Sequence, residues 1–151
     1  MTLVEALQQS SLFRDFSETG LHIFAAIASE KSLPAGAPLF AENMVGDSMF
    51  IVKSGTVRIT IKDGAGDRML ATVGPGDHLG ELALLARSVR LVSAIAETPC
   101  ELVELAQRDF YRLQAQKPQA CLKLALAIAG DLARKMGEGR EGLRSLAGAR
   151  G

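Results

Sequence analysis

The sequence predicts a mainly β domain with flanking helices: an antiparallel, jelly-roll-like β-roll with N-terminal helices, one short helix inside the roll and two C-terminal helices. Apolar residues recur every three or four positions at both ends of the chain, as on the buried face of a helix. Between these ends, glycines and prolines separate short runs rich in apolar and β-branched residues. The clearest run, residues 57–62, alternates apolar and polar residues as a half-buried strand does.

The 151 residues are long enough for one domain and a tail. We expect leading helices within residues 2–30, the β-roll within 31–106 and C-terminal helices within 107–136, with the glycine-rich residues 137–151 frayed. Basic and acidic residues number 17 each. The whole molecule therefore has no net field that would attract nucleic acid or an anionic membrane.

Each expected element has a local cause. Ser17 can cap the second leading helix, because its hydroxyl can accept from N–H groups of the first turn. Pro118 suits the first turn of the last helix, where an N–H is not needed. Residues 63–67 predict a loose hairpin loop. The expected strands are residues 49–53, 57–62, 69–73, 92–97 and 101–105, and the expected final helices are residues 108–116 and 118–136.

Cysteine usage and hydropathy favour a cytoplasmic protein. Cys100 and Cys121 lie in periodic apolar segments, where thiols are more often core residues than disulfide partners. No N-terminal segment joins a basic stretch to an apolar run as a signal peptide does. The most apolar stretch, residues 121–129, is shorter than the ~20 residues that span a bilayer, so we expect no membrane partner.

The short helix among the strands carries the expected chemistry. Gly80 precedes residues 81–85, which look like one or two helical turns. N–H groups at a helix start point outward and attract anions, and a glycine lets a ligand approach the backbone. Arg90 follows Glu81 by nine residues, and a guanidinium can bind a phosphate through two oxygens. These residues predict an anion site.

Glu81 indicates a second polar group on the ligand. A carboxylate repels a phosphate, so its place in an anion site makes sense if it accepts from a hydroxyl, such as a ribose 2′-OH, and is balanced by Arg90. The ligand would then carry both a phosphate and a sugar. Taken alone, such a pair of residues is more often two solvated surface charges.

Residues 74–85 read GPGDHLGELALL and, together with Arg90, strongly resemble the phosphate-binding cassette of the cyclic nucleotide-binding domains. That family includes the regulatory subunits of cAMP-dependent protein kinase, cyclic-nucleotide-gated channels and the bacterial catabolite activators. The resemblance covers nearly the whole chain, because residues 33–36, 46–52 and 54–57 look like the family's early β-roll. We refer to residues 74–85 as the cassette.

The resemblance implies a role for each matching position. Backbone N–H groups of the short helix would meet the cyclic phosphate, with Glu81 on the ribose hydroxyl and Arg90 on a phosphate oxygen. The end of the last helix would cover the base, which makes Arg134, Lys135 or Met136 the lid. The implied ligand is cAMP, with no cofactor and no metal. The implied ligand-binding residues are Leu79, Gly80, Glu81, Leu82, Ala83, Arg90, Leu91 and Val92.

Two departures from the family shape the functional prediction. Leu91 stands where family members often have Ser, Thr or Ala, and the missing hydroxyl favours cAMP over cGMP. The fifteen residues after Met136 are glycine-rich and cannot build the helix-turn-helix that family transcription factors add. We therefore expect no DNA binding.

These observations predict a cyclic nucleotide sensor that acts through its last helix on an effector protein of unknown identity or on its own homodimer. The alternative is a degenerate β-roll interaction module that no longer binds nucleotide, which Leu91 favours and the intact Glu81 and Arg90 oppose. An enzyme or a metal centre is disfavoured, because His22 and His78 are the only histidines and each is interpreted as a surface or packing residue.

Overall fold

Hydroxyl side chains begin the leading helices. The computed structural model describes residues 1–139. Thr2 and Glu5 form a reciprocal capping box at the start of the first helix, and Ser17 caps the second helix as predicted. A 3-10 turn, Ser11–Phe13, separates the two. The helices are α1 (Leu3–Gln8), α2 (Glu18–Ala25), α3 (Leu82–Leu85), α4 (Gln107–Gln114) and α5 (Pro118–Glu138).

Antiparallel strands close into a roll, which confirms the predicted fold class. The strands are β1 (Ser29–Leu33), β2 (Pro38–Phe40), β3 (Val45–Gly46), β4 (Ser48–Ser54), β5 (Val57–Asp63), β6 (Gly66–Val73), β7 (His78–Leu79), β8 (Ser88–Val89), β9 (Ser93–Ala96) and β10 (Cys100–Ala106). The two larger sheets have the orders β1-β10-β4-β7 and β2-β9-β5-β6, and β3 pairs with β8 in a small ribbon.

The central strand β4 contributes to two cores. Met49 and Ile51 belong to the core that packs against the helices, whereas Phe50 and Val52 belong to the core inside the roll. Because side chains alternate across a strand, this continuous apolar run is covered on both faces. The helix-side core also contains the buried residues of α5, which packs that helix onto the roll.

Most element ends lie within three residues of those predicted, the short strands β2, β3, β7 and β8 are additional, and three further differences are informative. β1 begins at Ser29, inside the segment assigned to the leading helices, because its polar residues show no alternation and are held by backbone pairing with β10. The loop expected to be loose is a tight turn, in which Asp63 pairs directly with Gly66. The helix α5 continues through Glu138, two residues into the segment expected to fray. Residues 140–151 of that segment lie outside the described part of the chain.

The two cysteines are free and buried, as expected for core residues. The Cys100 thiol donates to the Thr56 carbonyl at 3.3 Å, and burial raises the pKa of the Cys121 thiol. Among residues 1–139, no helix has both the length and the apolar character needed to cross a membrane.

Candidate functional site

The short helix α3 follows a glycine in the left-handed conformation. Gly80 has a φ of 74°, which a residue without a Cβ adopts freely. Glu81 occupies the N-cap position, and its side chain makes no capping hydrogen bond, so the carboxylate remains for other partners. The Ala83 N–H donates to the Gly80 carbonyl at 3.1 Å. One of the backbone donors assigned to the phosphate is therefore already used within the turn.

The apolar side chains of the cassette point into the protein. Leu79 is in the roll core, Ala83 is buried, and Leu82 packs against the helix-side core. Any contact between these residues and a ligand would therefore come from their backbone. On the far side of Arg90, Val92 is half-buried and Leu91 is 75% exposed.

Arg90 is fixed through both its backbone and its side chain. Its N–H donates to the Met44 carbonyl at 2.7 Å, and its carbonyl accepts from the Asn43 N–H at 2.8 Å. The guanidinium donates to the Ser48 carbonyl from Nη2 at 2.7 Å and to the Gly80 carbonyl from Nη1 at 3.2 Å. The β-roll backbone thus carries the arginine to the front of α3.

The Arg90 guanidinium is largely removed from water. The residue is 8% exposed, and its Cζ lies 4.3 Å from the centroid of the Phe40 ring, a cation–π contact. Burial lowers the pKa of Arg90, and the negative charges of Asp47, Glu81 and Glu104 oppose that shift. Among the described residues, Nε has no hydrogen-bond partner. A desolvated cation of this kind attracts an anion strongly.

Two glycines leave room for the guanidinium. A Cβ on Gly46 would lie 2.6 Å from Arg90 Nε and 2.7 Å from Cζ, closer than real contacts allow. A Cβ on Gly80 would meet Nη1. Any side chain at either position would therefore displace Arg90.

Glu81 is bordered by one cassette residue and one residue of α5. Its side chain is 14% exposed, and Oε1 lies 3.9 Å from His78 Nε2 and 3.5 Å from Lys135 Nζ. The structure therefore places Lys135, one of the three predicted lid residues, beside Glu81, which is predicted to bind the ribose hydroxyl. Of the other two, Arg134 bonds to Asp131 at 2.9 Å and Met136 is 55% exposed.

A buried histidine–aspartate pair joins the cassette to α5. His78 Nε2 lies 3.0 Å from Asp131 Oδ2, and the two side chains are only 7% and 8% exposed. Burial alone would raise the pKa of Asp131, but hydrogen bonds from Arg134, Lys135 and His78 outweigh it and hold the pKa well below its usual range. We refer to His78, Glu81, Asp131 and Lys135 as the cassette–helix bridge.

Sequence reasoning missed two members of this bridge. The interpretation of His78 as a surface or packing residue does not include this contact, and Asp131 is not among the predicted site residues. The available signal was the acidic Asp131 one turn before Lys135, after a stretch of the helix, residues 124–130, that carries no charge. Ligand atoms of His78, Glu81 and Asp131 lie within 4.8 Å of one another, a set that metal ions also favour. Here the ammonium of Lys135 supplies the positive charge beside the two carboxylates.

Comparisons with known proteins show what the chain is similar to. The family model of the cyclic nucleotide-binding domain matches residues 30–117. The cyclic AMP receptor protein of Thermus thermophilus is 30% identical over 127 residues, which are 83% of this chain and 59% of that protein. The crystal structure of the Thermus thermophilus catabolite activator protein has a TM-score of 0.80 at 30% identity and covers 91% of this chain and 63% of that one.

A third similar structure is a co-crystal of the regulatory domain of PKA from Toxoplasma gondii with cAMP. Its TM-score is 0.67 at 33% identity, and the match covers 73% of this chain and 42% of that one. The chain belongs to the cyclic nucleotide-binding domain family. It spans about three fifths of the Thermus receptor protein's length.

Proposed function

We propose that this domain binds a cyclic nucleoside monophosphate, with Arg90 on a phosphate oxygen and Glu81 on the ribose 2′-hydroxyl. The observation that carries the proposal is the state of Arg90. Its guanidinium is buried at the front of α3 and gives two of its five donors to backbone carbonyls. The remaining donors and the positive charge suit an anion at the start of α3.

Backbone groups complete the proposed phosphate site. Gly80 brings the chain close to the ligand because it has no side chain, and Leu79, Leu82 and Ala83 would contribute only backbone atoms, since their side chains point inward. Leu91, which is exposed, and its neighbour Val92 would border the nucleotide on the Arg90 side.

We propose cAMP as the preferred ligand over cGMP. The side chain of Leu91 has no hydroxyl with which to bind a guanine, and an apolar surface accepts adenine at no such loss. The cAMP bound to the similar PKA domain of Toxoplasma gondii supports this choice.

Calorimetric titration of the unaltered protein with cAMP, cGMP and 5′-AMP tests the proposal. We expect a saturable site for the two cyclic nucleotides and weaker binding of 5′-AMP. Arg90→Ala should weaken cAMP binding by ~2–5 kcal/mol, roughly thirty-fold to a few thousand-fold, because a desolvated charge loses its partner. An unaltered protein that binds no nucleotide is the result expected of a degenerate β-roll and would refute the proposal.

The proposed output is a shift of α5, with the domain acting as a regulatory rather than a catalytic module. In support, Lys135 of α5 lies beside Glu81, the residue proposed to bind the ribose. The outer face of α5 also carries four exposed apolar residues that are available to a second copy or an effector protein. They are Leu122, Leu126, Leu132 and Met136. Ligand can move this helix only by binding one arrangement better than the other.

Hydrogen exchange with and without cAMP tests the output. We expect slower exchange in residues 122–138 when cAMP is bound, together with a change in sedimenting mass if the outer face pairs two copies. Equal exchange and equal sedimenting mass in both conditions would rule out α5 as the output element. That result would not contradict the proposal that the domain binds nucleotide.

A further inference from the structure

The positive charge beside Glu81 comes from a residue 54 positions later in the chain, at the end of α5. Lys135 Nζ lies 3.0 Å from Asp131 Oδ2 and 3.5 Å from Glu81 Oε1. A bond between an ammonium and a carboxylate is typically ~2.7–2.9 Å long. Lys135 is therefore held closely by Asp131 and only loosely by Glu81, which keeps acceptor capacity for a hydroxyl while its charge is balanced.

The His78–Asp131 pair determines where α5 presents this lysine. His78 belongs to β7 and Asp131 to α5, so a rotation or slide of the helix breaks a contact between two side chains that are largely removed from water. Arg134 adds a bond to the other oxygen of Asp131 at 2.9 Å. Both oxygens of Asp131 are thus occupied, and its neighbour Lys135 is kept at the cassette.

We propose that Lys135 is a positioning residue for the nucleotide site, acting through Glu81: its ammonium balances the carboxylate so that Glu81 can face an anionic ligand. This inference rests on the proposed function. It resolves why an acidic residue stands at the front of a phosphate site, a place where Glu81 alone would repel the ligand. The role needs no contact with the base and so differs from that of a lid.

The arrangement makes ligand binding and helix position depend on one another. The charge balance at Glu81 is complete only while α5 lies against the cassette, so nucleotide favours that arrangement. Conversely, a partner that pulls α5 away leaves Glu81 unbalanced and weakens nucleotide binding by the same factor. The coupling passes through the cassette–helix bridge.

A double-mutant cycle on cAMP affinity tests the role of Lys135. We expect Lys135→Met to weaken binding about three- to ten-fold in the unaltered background and less than about two-fold in the Glu81→Gln background, where no charge needs balance. Lys135→Arg should restore binding to within about two-fold. Lys123→Met, on the same helix but bonded to the Asp15 carbonyl, is the matched control and should change nothing.

The outcomes separate this inference from the proposed function. If the unaltered protein binds no nucleotide, the proposed function fails, and the role of Lys135 fails with it. If it binds cAMP but Lys135→Met leaves affinity unchanged or improves it, only the positioning role is overturned. An equal loss in both backgrounds also overturns it, because the lysine would then act independently of Glu81.

A measurement without ligand tests the anchoring pair. His78→Leu leaves Asp131 without its cassette partner, and we expect faster hydrogen exchange in residues 132–138 of the ligand-free protein. His22→Leu, at an exposed position in α2, is the matched control. Unchanged exchange in the His78 variant shows that the pair does not hold α5 and overturns this step.

Discussion

Arg90 and Glu81 stand nine residues apart, yet different parts of the molecule hold them. The guanidinium of Arg90 bonds to two backbone carbonyls, those of Ser48 and Gly80, and is 8% exposed. The carboxylate of Glu81 has side chains beside it, and among residues 1–139 the lysine or arginine closest to it is Lys135, whose own side chain is 46% exposed. One end of the site is built by the roll alone, and the other is completed by α5.

This difference indicates a division of labour. The carbonyls of Ser48 and Gly80 belong to the backbone of the folded roll, so under the proposed function the Arg90 end is preorganised and would supply affinity. Long side chains on the last helix can move, so under the proposed function the Glu81 end would supply the response. Variants at the Arg90 end should therefore change binding whatever α5 does, whereas variants at the Glu81 end should change binding and helix position together.

Arg90→Lys gives the largest effect we expect from a conservative change. A lysine cannot bond to both carbonyls and a phosphate in the planar geometry of the guanidinium, so cAMP affinity should fall by about 2–4 kcal/mol, roughly thirty- to seven-hundred-fold. Calorimetry measures it. Arg87→Lys, at an exposed neighbouring position, should bind normally. Normal binding by Arg90→Lys would show that a point charge suffices and that the Arg90 end is not preorganised.

Gly46→Ala tests the same end through packing. Its methyl would lie 2.6 Å from Arg90 Nε, so the guanidinium must move away from Ser48 and Gly80. We expect a loss of about 1–3 kcal/mol in cAMP binding. The melting temperature of the variant should fall only slightly, because the displaced group is the end of a side chain and not backbone. Gly66→Ala, where no atom in the described part of the chain lies within 4 Å of the added methyl, should bind cAMP normally. Equal affinity in both variants would mean that Arg90 need not stay in place.

The roll and the Arg90 end could be predicted from sequence, because their signals are local. Alternation in residues 57–62 and the glycine turns identify strands, and Glu81 and Arg90 stand in one short segment with a glycine before them. The polar strand β1 could not be predicted, since its pairing with β10 is made by backbone groups and its side chains show no period.

The cassette–helix bridge could not be predicted for a different reason. His78 and Asp131 are 53 residues apart, and their contact depends on how α5 packs across the roll. The helix-side core sets that placement, and a single sequence gives no information on the register of one element against another. A contact of this kind between two largely buried polar side chains is visible only after folding.

Asp131→Asn should change how stability depends on pH. The folded pKa of Asp131 lies below its unfolded value of about 3.9, so the aspartate stabilises the fold above that value. This contribution is full above about pH 4 and is lost gradually as the pH falls from there towards the depressed folded pKa. We expect the asparagine variant to be about 1–2 kcal/mol less stable at pH 7, with a gap that narrows below about pH 4 and is still open at pH 3. Urea midpoints between pH 3 and 7 measure it, with the exposed Asp67→Asn as control. A gap that does not vary with pH would contradict the ionised pairing.

Leu91→Thr addresses ligand choice beside Arg90. A threonine hydroxyl can bond to guanine, and such a bond contributes about 0.5–1.5 kcal/mol, so the preference for cAMP over cGMP should narrow by up to about ten-fold. Parallel calorimetric titrations with both nucleotides measure the ratio. Leu91→Val, which changes size without adding a donor, is the control. Tighter binding of cGMP than cAMP by the unaltered protein would refute the assignment of Leu91.

Gly130→Ala should give the smallest effect and separates helix stability from ligand binding. Gly130 is exposed within α5, and an added Cβ would meet no atom of residues 1–139 within 4 Å. Alanine in a helix interior is favoured over glycine by about 0.5–1 kcal/mol, so the variant should melt at a higher temperature. Because Asp131 and Lys135 keep their places, cAMP affinity should stay within about two-fold of the unaltered protein. A clear loss of affinity in the stabilised variant would show that α5 must bend or unwind near Gly130 when nucleotide binds. The Glu81 end would then respond through the helix backbone rather than through the side chains of the cassette–helix bridge.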